Sequence, residues 1–162
     1  VDNIVEEFSK LSPQHAEDFK ANGGKYKNEL QDVQDELETK LAAVPDNQRA
    51  LVTCEGAFSY LARDAKLKER YIWPVNAEQE ATPQQIAGAI EFVKDNEVPA
   101  VFCESTVSNA PMMQVTEATG AEFGGTLYVD SLSEEGGPVP TYLDLIRHDT
   151  KVIIEGLTGS KQ

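Results

Sequence analysis

The feature that most constrains the fold is a change of pattern after Pro45, where short apolar runs begin to alternate with helical segments. Each short run is almost continuously apolar, which is typical of strands that are buried on both faces of a sheet. These runs cover residues 50–53, 71–73, 100–103 and 126–129. Helices are predicted over 57–64, 82–96 and 111–119, and a last helix follows the Gly/Pro-rich loop 135–140.

Strands that alternate with helices predict a parallel sheet, because parallel neighbours are joined by helical crossovers. These crossovers are right-handed almost without exception, which restricts the topology. We therefore predict an α/β fold: a small doubly wound domain with a roughly four-stranded parallel sheet in the order 2-1-3-4, flanked by helices. In such sheets a ligand binds beyond the carboxyl ends of the strands, between strands one and three.

Helical spacing dominates the chain before the sheet. Residues 1–11 place apolar side chains on one helical face, and Ser12-Pro13 predicts the cap and first turn of a long helix that reaches about Val44. We expect Gly23-Gly24 to weaken or bend that helix locally. The chain opens in mid-helix without a signal peptide, so we expect a fragment of a longer protein.

The charge balance restricts the partners. The chain carries 28 Asp and Glu against 14 Lys and Arg, a formal net charge of −14. Nucleic-acid phosphates and anionic membrane surfaces attract clusters of Lys and Arg, so the balance argues against both partners. A surplus of carboxylates suits hard cations, but on composition alone a solvated acidic surface is the favoured explanation.

Three carboxylates follow predicted strands at the edge where a ligand would bind. Glu55 ends strand one, Glu104 ends strand three and Asp130 ends strand four. Like charges in proximity need a cation or hydrogen-bond donors to offset their repulsion. A metal ion is one interpretation, and carboxylates that cap the following helices are the other. His15 and His148 fall within helices, away from the strand ends, and are expected at the surface.

The common catalytic motifs are absent. The sequence has no phosphate-binding loop, dinucleotide fingerprint, nucleophile elbow or His-Glu-x-x-His motif. A small α/β enzyme, such as a flavodoxin-like or metal-dependent hydrolase domain, would need such a loop or a base near Glu55. The sequence therefore favours a binding protein over an enzyme and offers no catalytic residue.

Cys54 and Cys103 are the two cysteines, and both lie at strand ends. Strands one and three are neighbours in a 2-1-3-4 sheet, and neighbouring strands lie ~4.8 Å apart, close to the ~5.5–6 Å Cα separation of a disulfide. We predict that the two cysteines are bridged, which implies an oxidising compartment. Two free buried thiols are the alternative.

The strand ends also belong to runs that resemble a known family. The runs are found, in order, at residues 51–62, 71–78, 81–86, 101–107, 127–132 and 138–143. In these runs the chain closely resembles the metal-binding receptors of ABC importers in the MntC/PsaA group, part of a wider family that includes zinc receptors. The resemblance covers essentially the whole chain as the carboxyl-terminal half of such a receptor. The two cysteines depart from it, because the residue before the family's Glu is commonly Ser.

The resemblance implies two lobes joined by a long rigid helix, with one metal ion buried between them. Residues 1–11 would be the end of that helix, and residues 12–162 the carboxyl-terminal metal-binding lobe. In manganese-type members two histidines of the first lobe bind the ion together with a Glu and an Asp of the second. The family motifs place these two ligands at Glu55 and Asp130, and leave Glu104 a supporting or structural role.

The implied function is a Mn²⁺ receptor that delivers its ion to a membrane permease. Two histidines with two carboxylates form a harder site than histidines alone, although Zn²⁺ would compete by the Irving–Williams order. A zinc receptor of the same family is the alternative, and an adhesion or assembly module is a further one. We expect a periplasmic or extracytoplasmic location, in a parent that could carry a lipid anchor. Without the first lobe's histidines, we expect this chain to bind metal weakly or to stay empty.

Overall fold

Helices and parallel strands alternate along the chain in a computed structural model, which describes residues 1–76 and 81–160. Residues 77–80 and 161–162 lie outside the described residues; they include the end of the family run 71–78 and of the predicted lobe 12–162. The elements are α1 Asp2–Leu11, a 3₁₀ turn Pro13–His15, α2 Ala16–Leu41, β1 Ala50–Glu55, α3 Ser59–Asp64, β2 Lys68–Trp73, α4 Pro83–Asp95, β3 Ala100–Glu104, α5 Ala110–Thr119, β4 Glu122–Leu127 and α6 Tyr142–Thr158.

The chain forms two compact units, Val1–Glu36 and Leu37–Gln162. In the first, the rings of Phe8 in α1 and Phe19 in α2 meet edge to face with their centroids 5.6 Å apart. The assignment of residues 1–11 to an inter-lobe helix stays a prediction. No helix in the described part of the chain is long and apolar enough to cross a membrane.

The structure corrects two details of the first unit. Ser12 makes no side-chain capping hydrogen bond, and the 3₁₀ turn after it delays the start of the long helix to Ala16. That helix continues without interruption through Gly23-Gly24. A Cβ at Gly23 would overlap the side chain of Val5, so this glycine permits close approach of α1.

The second unit contains two parallel strand pairs. β1 pairs with β2, and β3 pairs with β4. Cys54 of β1 and Cys103 of β3 have Cα atoms 4.9 Å apart, so these two strands are neighbours. The parallel α/β class is therefore confirmed. A single four-stranded ladder is not observed among the described residues, and the order 2-1-3-4 across both pairs stays a prediction.

Two strands begin earlier than predicted. β2 starts at Lys68 instead of Tyr71, and β4 covers Glu122–Leu127 instead of 126–129. The added residues are mostly polar or glycine and are only partly buried, so they lack the apolar run that marks β1 and β3. A continuous apolar run marks a strand that is covered on both faces, whereas a partly exposed strand has no such run and is missed.

Helices cover both faces of the sheet, as predicted. Leu51 of β1 packs into a core with the end of α2, with α3 and with α6, whereas Val52 packs into a second core with α4 and α5. Alternate residues of a strand point to opposite faces, so β1 contributes to both cores. A capping box between Thr82 and Gln85 begins α4.

Two glycines make room for the largest fully buried side chain. The Phe102 ring lies against Gly124 in β4 and Gly156 in α6, and it is fully buried. A Cβ at Gly156 would lie 2.8 Å from Phe102 Cζ, closer than real Cβ contacts. Because the ring is enclosed, it has no free space into which it can move.

We expect Gly156→Ala to lower the free energy of unfolding by about 1–3 kcal/mol, because the clash outweighs the helical preference for alanine. Gly24→Ala in α2 is the matched control, since a Cβ there meets nothing within 4 Å. The control should be more stable than the wild type by about 0.5–1 kcal/mol. Urea unfolding measures both. Equal stability of the two variants would show that the Phe102 ring does not fill this space.

Candidate metal centre

Glu55 and Glu104 meet where β1 and β3 end. The backbone N–H of Glu55 donates to both carboxylate oxygens of Glu104, at 3.2 and 3.1 Å. Glu104 is only 2% exposed. Glu104, the carboxylate at the end of β3, is thus a buried hydrogen-bond acceptor beneath Glu55. This placement suits a supporting role better than that of a solvent-facing ligand.

The Glu55 side chain is half-buried and is held from the other side. Its Oε1 accepts the backbone N–H of Asn76 at 2.6 Å. Asn76 adopts a left-handed backbone conformation, with φ of 58°. Gly56 follows Glu55, and a Cβ there would lie 2.9 Å from the Tyr71 ring, so only glycine fits without moving that ring. Glu104 thus holds the Glu55 backbone, and Asn76 holds its carboxylate.

Asp130 lies three residues after the end of β4 and is exposed. Its φ of 58° is left-handed, which Asp tolerates better than most residues with a side chain. It lines an open groove of about 600 Å³ together with Ala57 and Phe58, which follow Glu55 closely in the chain. The segments after β1 and β4 thus line one groove. Of the two predicted ligands, Asp130 is part of the lining.

Asp149 in α6 is a buried carboxylate that was not predicted from the sequence. This carboxylate is 3% exposed, and its Oδ1 accepts the backbone N–H of Tyr128 at 2.8 Å. Tyr128 stands two residues before Asp130. A signal was present, because Leu145, Asp149 and Ile153 follow at spacings of four and occupy one face of the helix. An acidic residue in the middle of a buried apolar stripe indicates a buried acceptor.

Burial raises the pKa of both interior carboxyls. Desolvation, together with a smaller effect of the Glu55 charge, raises the pKa of Glu104 to about 7, against the lowering effect of its backbone hydrogen bonds. Desolvation likewise raises the pKa of Asp149 to about 7, and the Tyr128 N–H opposes that rise. Among the described residues neither carboxylate forms an ion pair with a Lys, Arg or His.

Cys54 and Cys103 form the predicted disulfide, and no free thiol is found in the described chain. Together with Glu104 they are the one group of three potential metal ligands close together in the described residues, with ligand atoms within 4.8 Å of one another. The bridge joins both sulfurs, so neither is a thiolate that could bind an ion. This group is therefore a structural junction.

Each of the two histidines has its own neighbours in the described chain. His15 is exposed and has its Nδ1 3.5 Å from an Asp18 carboxylate oxygen. His148 is half-buried; its Nε2 lies 3.3 Å from the Thr126 carbonyl oxygen and its ring packs edge to face on Tyr128. The prediction that both are surface residues is correct for His15, whereas His148 packs against the segment that leads to Asp130.

Comparison with known proteins decides the family. The family model described as "ZnuA: Zinc-uptake complex component A periplasmic" matches residues 1–156, almost the whole chain. The chain belongs to this family. The resemblance drawn from the strand-end runs is confirmed.

Characterised relatives differ in the metal that their names give. The chain is 46% identical to the iron-binding protein YfeA of Yersinia pestis over 96% of its own length and 50% of that protein. It is 30% identical to the manganese-binding lipoprotein MntA of Halalkalibacterium halodurans, over 98% of its length and 53% of the relative. It is 31% identical to the manganese ABC transporter substrate-binding lipoprotein PsaA of Streptococcus mitis, over 96% and 50%. The chain thus spans about half the length of these relatives.

Solved structures agree with the fold. The Mn-bound periplasmic metal binding protein of Candidatus Liberibacter asiaticus superimposes with a TM-score of 0.87 at 36% identity, over 96% of this chain and 57% of that one. Its Cd-bound form gives a TM-score of 0.88 at 36% identity, over 96% and 58%. Members of the family are solute-binding receptors and not enzymes.

Asp149→Asn tests the buried carboxyl beneath the groove. The folded pKa lies above that of an unfolded Asp, so the wild type loses stability as pH rises from about 4 to about 7. The amide keeps an acceptor for Tyr128 N–H but cannot ionise. We expect the stability of the variant relative to wild type to increase by about 1–3 kcal/mol between pH 5 and pH 8.

Urea unfolding across that pH range is the measurement. Asp32→Asn, which removes an exposed carboxylate in α2, is the charge control. A difference between Asp149→Asn and wild type that does not change with pH would mean that Asp149 ionises in the folded protein as it does in the unfolded chain.

Proposed function

We propose that the chain is the carboxyl-terminal lobe of a periplasmic Mn²⁺ receptor of an ABC importer, and that Glu55 and Asp130 are its metal ligands. The observation that carries the proposal is that Glu55 ends β1 and Asp130 follows β4, and that Asp130 and the residues just after Glu55 line one groove. This edge of a parallel α/β sheet is where ligands bind. The family fold supports the same location.

The donor chemistry fits a hard divalent cation. One carboxylate oxygen of Glu55 accepts the Asn76 N–H, and Asp130 presents an exposed carboxylate at the groove. Carboxylate oxygens suit manganese among the transition metals, whereas thiolates, which would favour softer ions, are absent here because the cysteines are bridged. Fe²⁺ stands next to Mn²⁺ in the Irving–Williams order and accepts the same ligands, and Zn²⁺ binds most such sites more tightly.

A first lobe would complete the site. The chain spans about half of its relatives, which supports a second half of similar size. We propose that this half supplies two histidines and that closure of the lobes removes water from the ion. The function is capture and release, with delivery to a membrane permease, so no residue needs acid–base or nucleophilic reactivity.

The chain alone should not hold Mn²⁺ tightly, because two protein ligands leave the ion largely hydrated. Calorimetric titration at neutral pH should show no dissociation constant in the micromolar range or tighter. Joined to a first lobe, the same chain should bind tightly, and Asp130→Ala should remove most of that affinity. Asp32→Ala is the matched control, because it removes an exposed carboxylate of α2.

Competition titrations with Fe²⁺ and Zn²⁺ on the two-lobed protein measure its affinity for each ion relative to Mn²⁺. Micromolar or tighter Mn²⁺ binding by the chain alone, abolished by Asp130→Ala, would contradict the half-site. Tight binding by the two-lobed protein that Glu55→Gln and Asp130→Ala leave unchanged would contradict the ligand assignment.

A further inference from the structure

We propose that Glu104 and Asp149 are positioning residues: each accepts a backbone N–H from the segment that presents a metal ligand and thereby fixes that ligand. The inference rests on the proposed function, since it takes Glu55 and Asp130 as the ligands. It adds a role for two buried carboxylates, and that role depends on their hydrogen bonds and not on their charge.

Glu104 fixes the end of β1. Its two oxygens are 3.2 and 3.1 Å from the Glu55 nitrogen, so both accept the same Glu55 N–H. The hydrogen-bonded pairs among the described strands are β1–β2 and β3–β4, and the carboxylate supplies an acceptor between the two pairs. The disulfide joins the preceding residues of the same two strands. Two consecutive positions of β1 are thus tied to β3, one covalently and one by the Glu104 side chain.

Asp149 fixes the segment after β4. It reaches from α6 to the N–H of Tyr128 at 2.8 Å, one residue beyond the end of β4 and two residues before Asp130. Asp130 then takes its left-handed conformation. Without this acceptor the Tyr128 N–H would lose its partner in α6. Release of this bond would free the segment that carries Asp130.

The two carboxylates are not explained by packing. Carboxyl groups at 2% and 3% exposure without an ion-pair partner in the described chain are costly to bury, and apolar residues of similar volume would fill the same space. What an apolar residue cannot do is accept the strand-end N–H. Outer partners of this kind orient metal ligands, and their loss commonly reduces metal affinity 10–100-fold.

The test compares isosteric pairs in the intact chain. Glu104→Leu removes the acceptor and the charge, whereas Glu104→Gln removes the charge and keeps one acceptor oxygen; Asp149→Leu and Asp149→Asn form the second pair. The probe is Mn²⁺ alone at sub-saturating concentration, read as paramagnetic broadening of amide signals near Glu55 and Asp130. Amide hydrogen exchange of Glu55 and Tyr128 is read without metal.

We expect Glu104→Leu to accelerate exchange of the Glu55 amide and to reduce the broadening tenfold or more. Glu104→Gln should keep the broadening within threefold of wild type. The Asp149 pair should behave likewise for the Tyr128 amide, and it decides the outcome if Glu104→Leu does not fold. Equal losses in both members of a pair would show that charge matters and not the hydrogen bond. A broadening in the Leu variants within twofold of wild type would also overturn the proposal.

Glu55→Gln and Asp130→Asn separate this inference from the proposed function. Suppose that they abolish the broadening, whereas the Glu104 and Asp149 variants give one of the contradicting results above. The positioning roles alone are then wrong. If they leave the broadening unchanged, the ligand assignment is wrong, and the positioning roles fall with it.

Discussion

The junction between β1 and β3 is the constraint on which the site depends. The Cys54–Cys103 disulfide and the Glu55–Glu104 hydrogen bond connect the two strand pairs at consecutive positions. The bridged cysteines are 49 positions apart in the chain. On the chain-entropy model, a bridge that closes a loop of this length stabilises the fold by about 4 kcal/mol. The bridge itself lies at the carboxyl edge of the sheet, one residue before Glu55. It holds the strand end in place at the point where the proposed ligand meets solvent.

The interior carboxylates oppose part of that gain. Burial raises the pKa of Glu104 and of Asp149 to about 7, so near neutral pH each is a costly group in an otherwise apolar interior. Both occur directly beneath segments that carry a proposed ligand. A fold optimised only for stability would replace them with apolar residues. On the proposed roles, accurate placement of Glu55 and Asp130 is accompanied by some loss of stability.

Much of this fold was predictable, because β1 and β3 are apolar runs and the helices between them have clear start signals such as Thr82-Pro83. The bounds of β2 and β4 were wrong, since Lys68 and Gly124 lie in partly exposed strands that no apolar run marks. The disulfide was predictable because both cysteines end neighbouring strands.

The ligand candidates came from a family resemblance and from strand ends, both of which are local features of the sequence. The contact from Asp149 to Tyr128 spans 21 positions in the chain and depends on how α6 packs on β4. No local pattern encodes that packing; only the interrupted apolar stripe of α6 hinted at it. The role of Glu104 as acceptor of the Glu55 N–H was equally hidden. Spacing placed Glu104 beside Glu55 but could not show that it is buried.

The most direct test of the metal site is an anomalous diffraction map, recorded at the manganese absorption edge, from crystals of the Mn²⁺-loaded two-lobed receptor. We expect one strong peak within coordination distance of carboxylate oxygens of both Glu55 and Asp130, with the remaining ligands supplied by the first lobe. Glu104 should still accept the Glu55 N–H and make no contact with the ion. A peak that neither Glu55 nor Asp130 reaches, or one bound directly by Glu104, would contradict this assignment of the site.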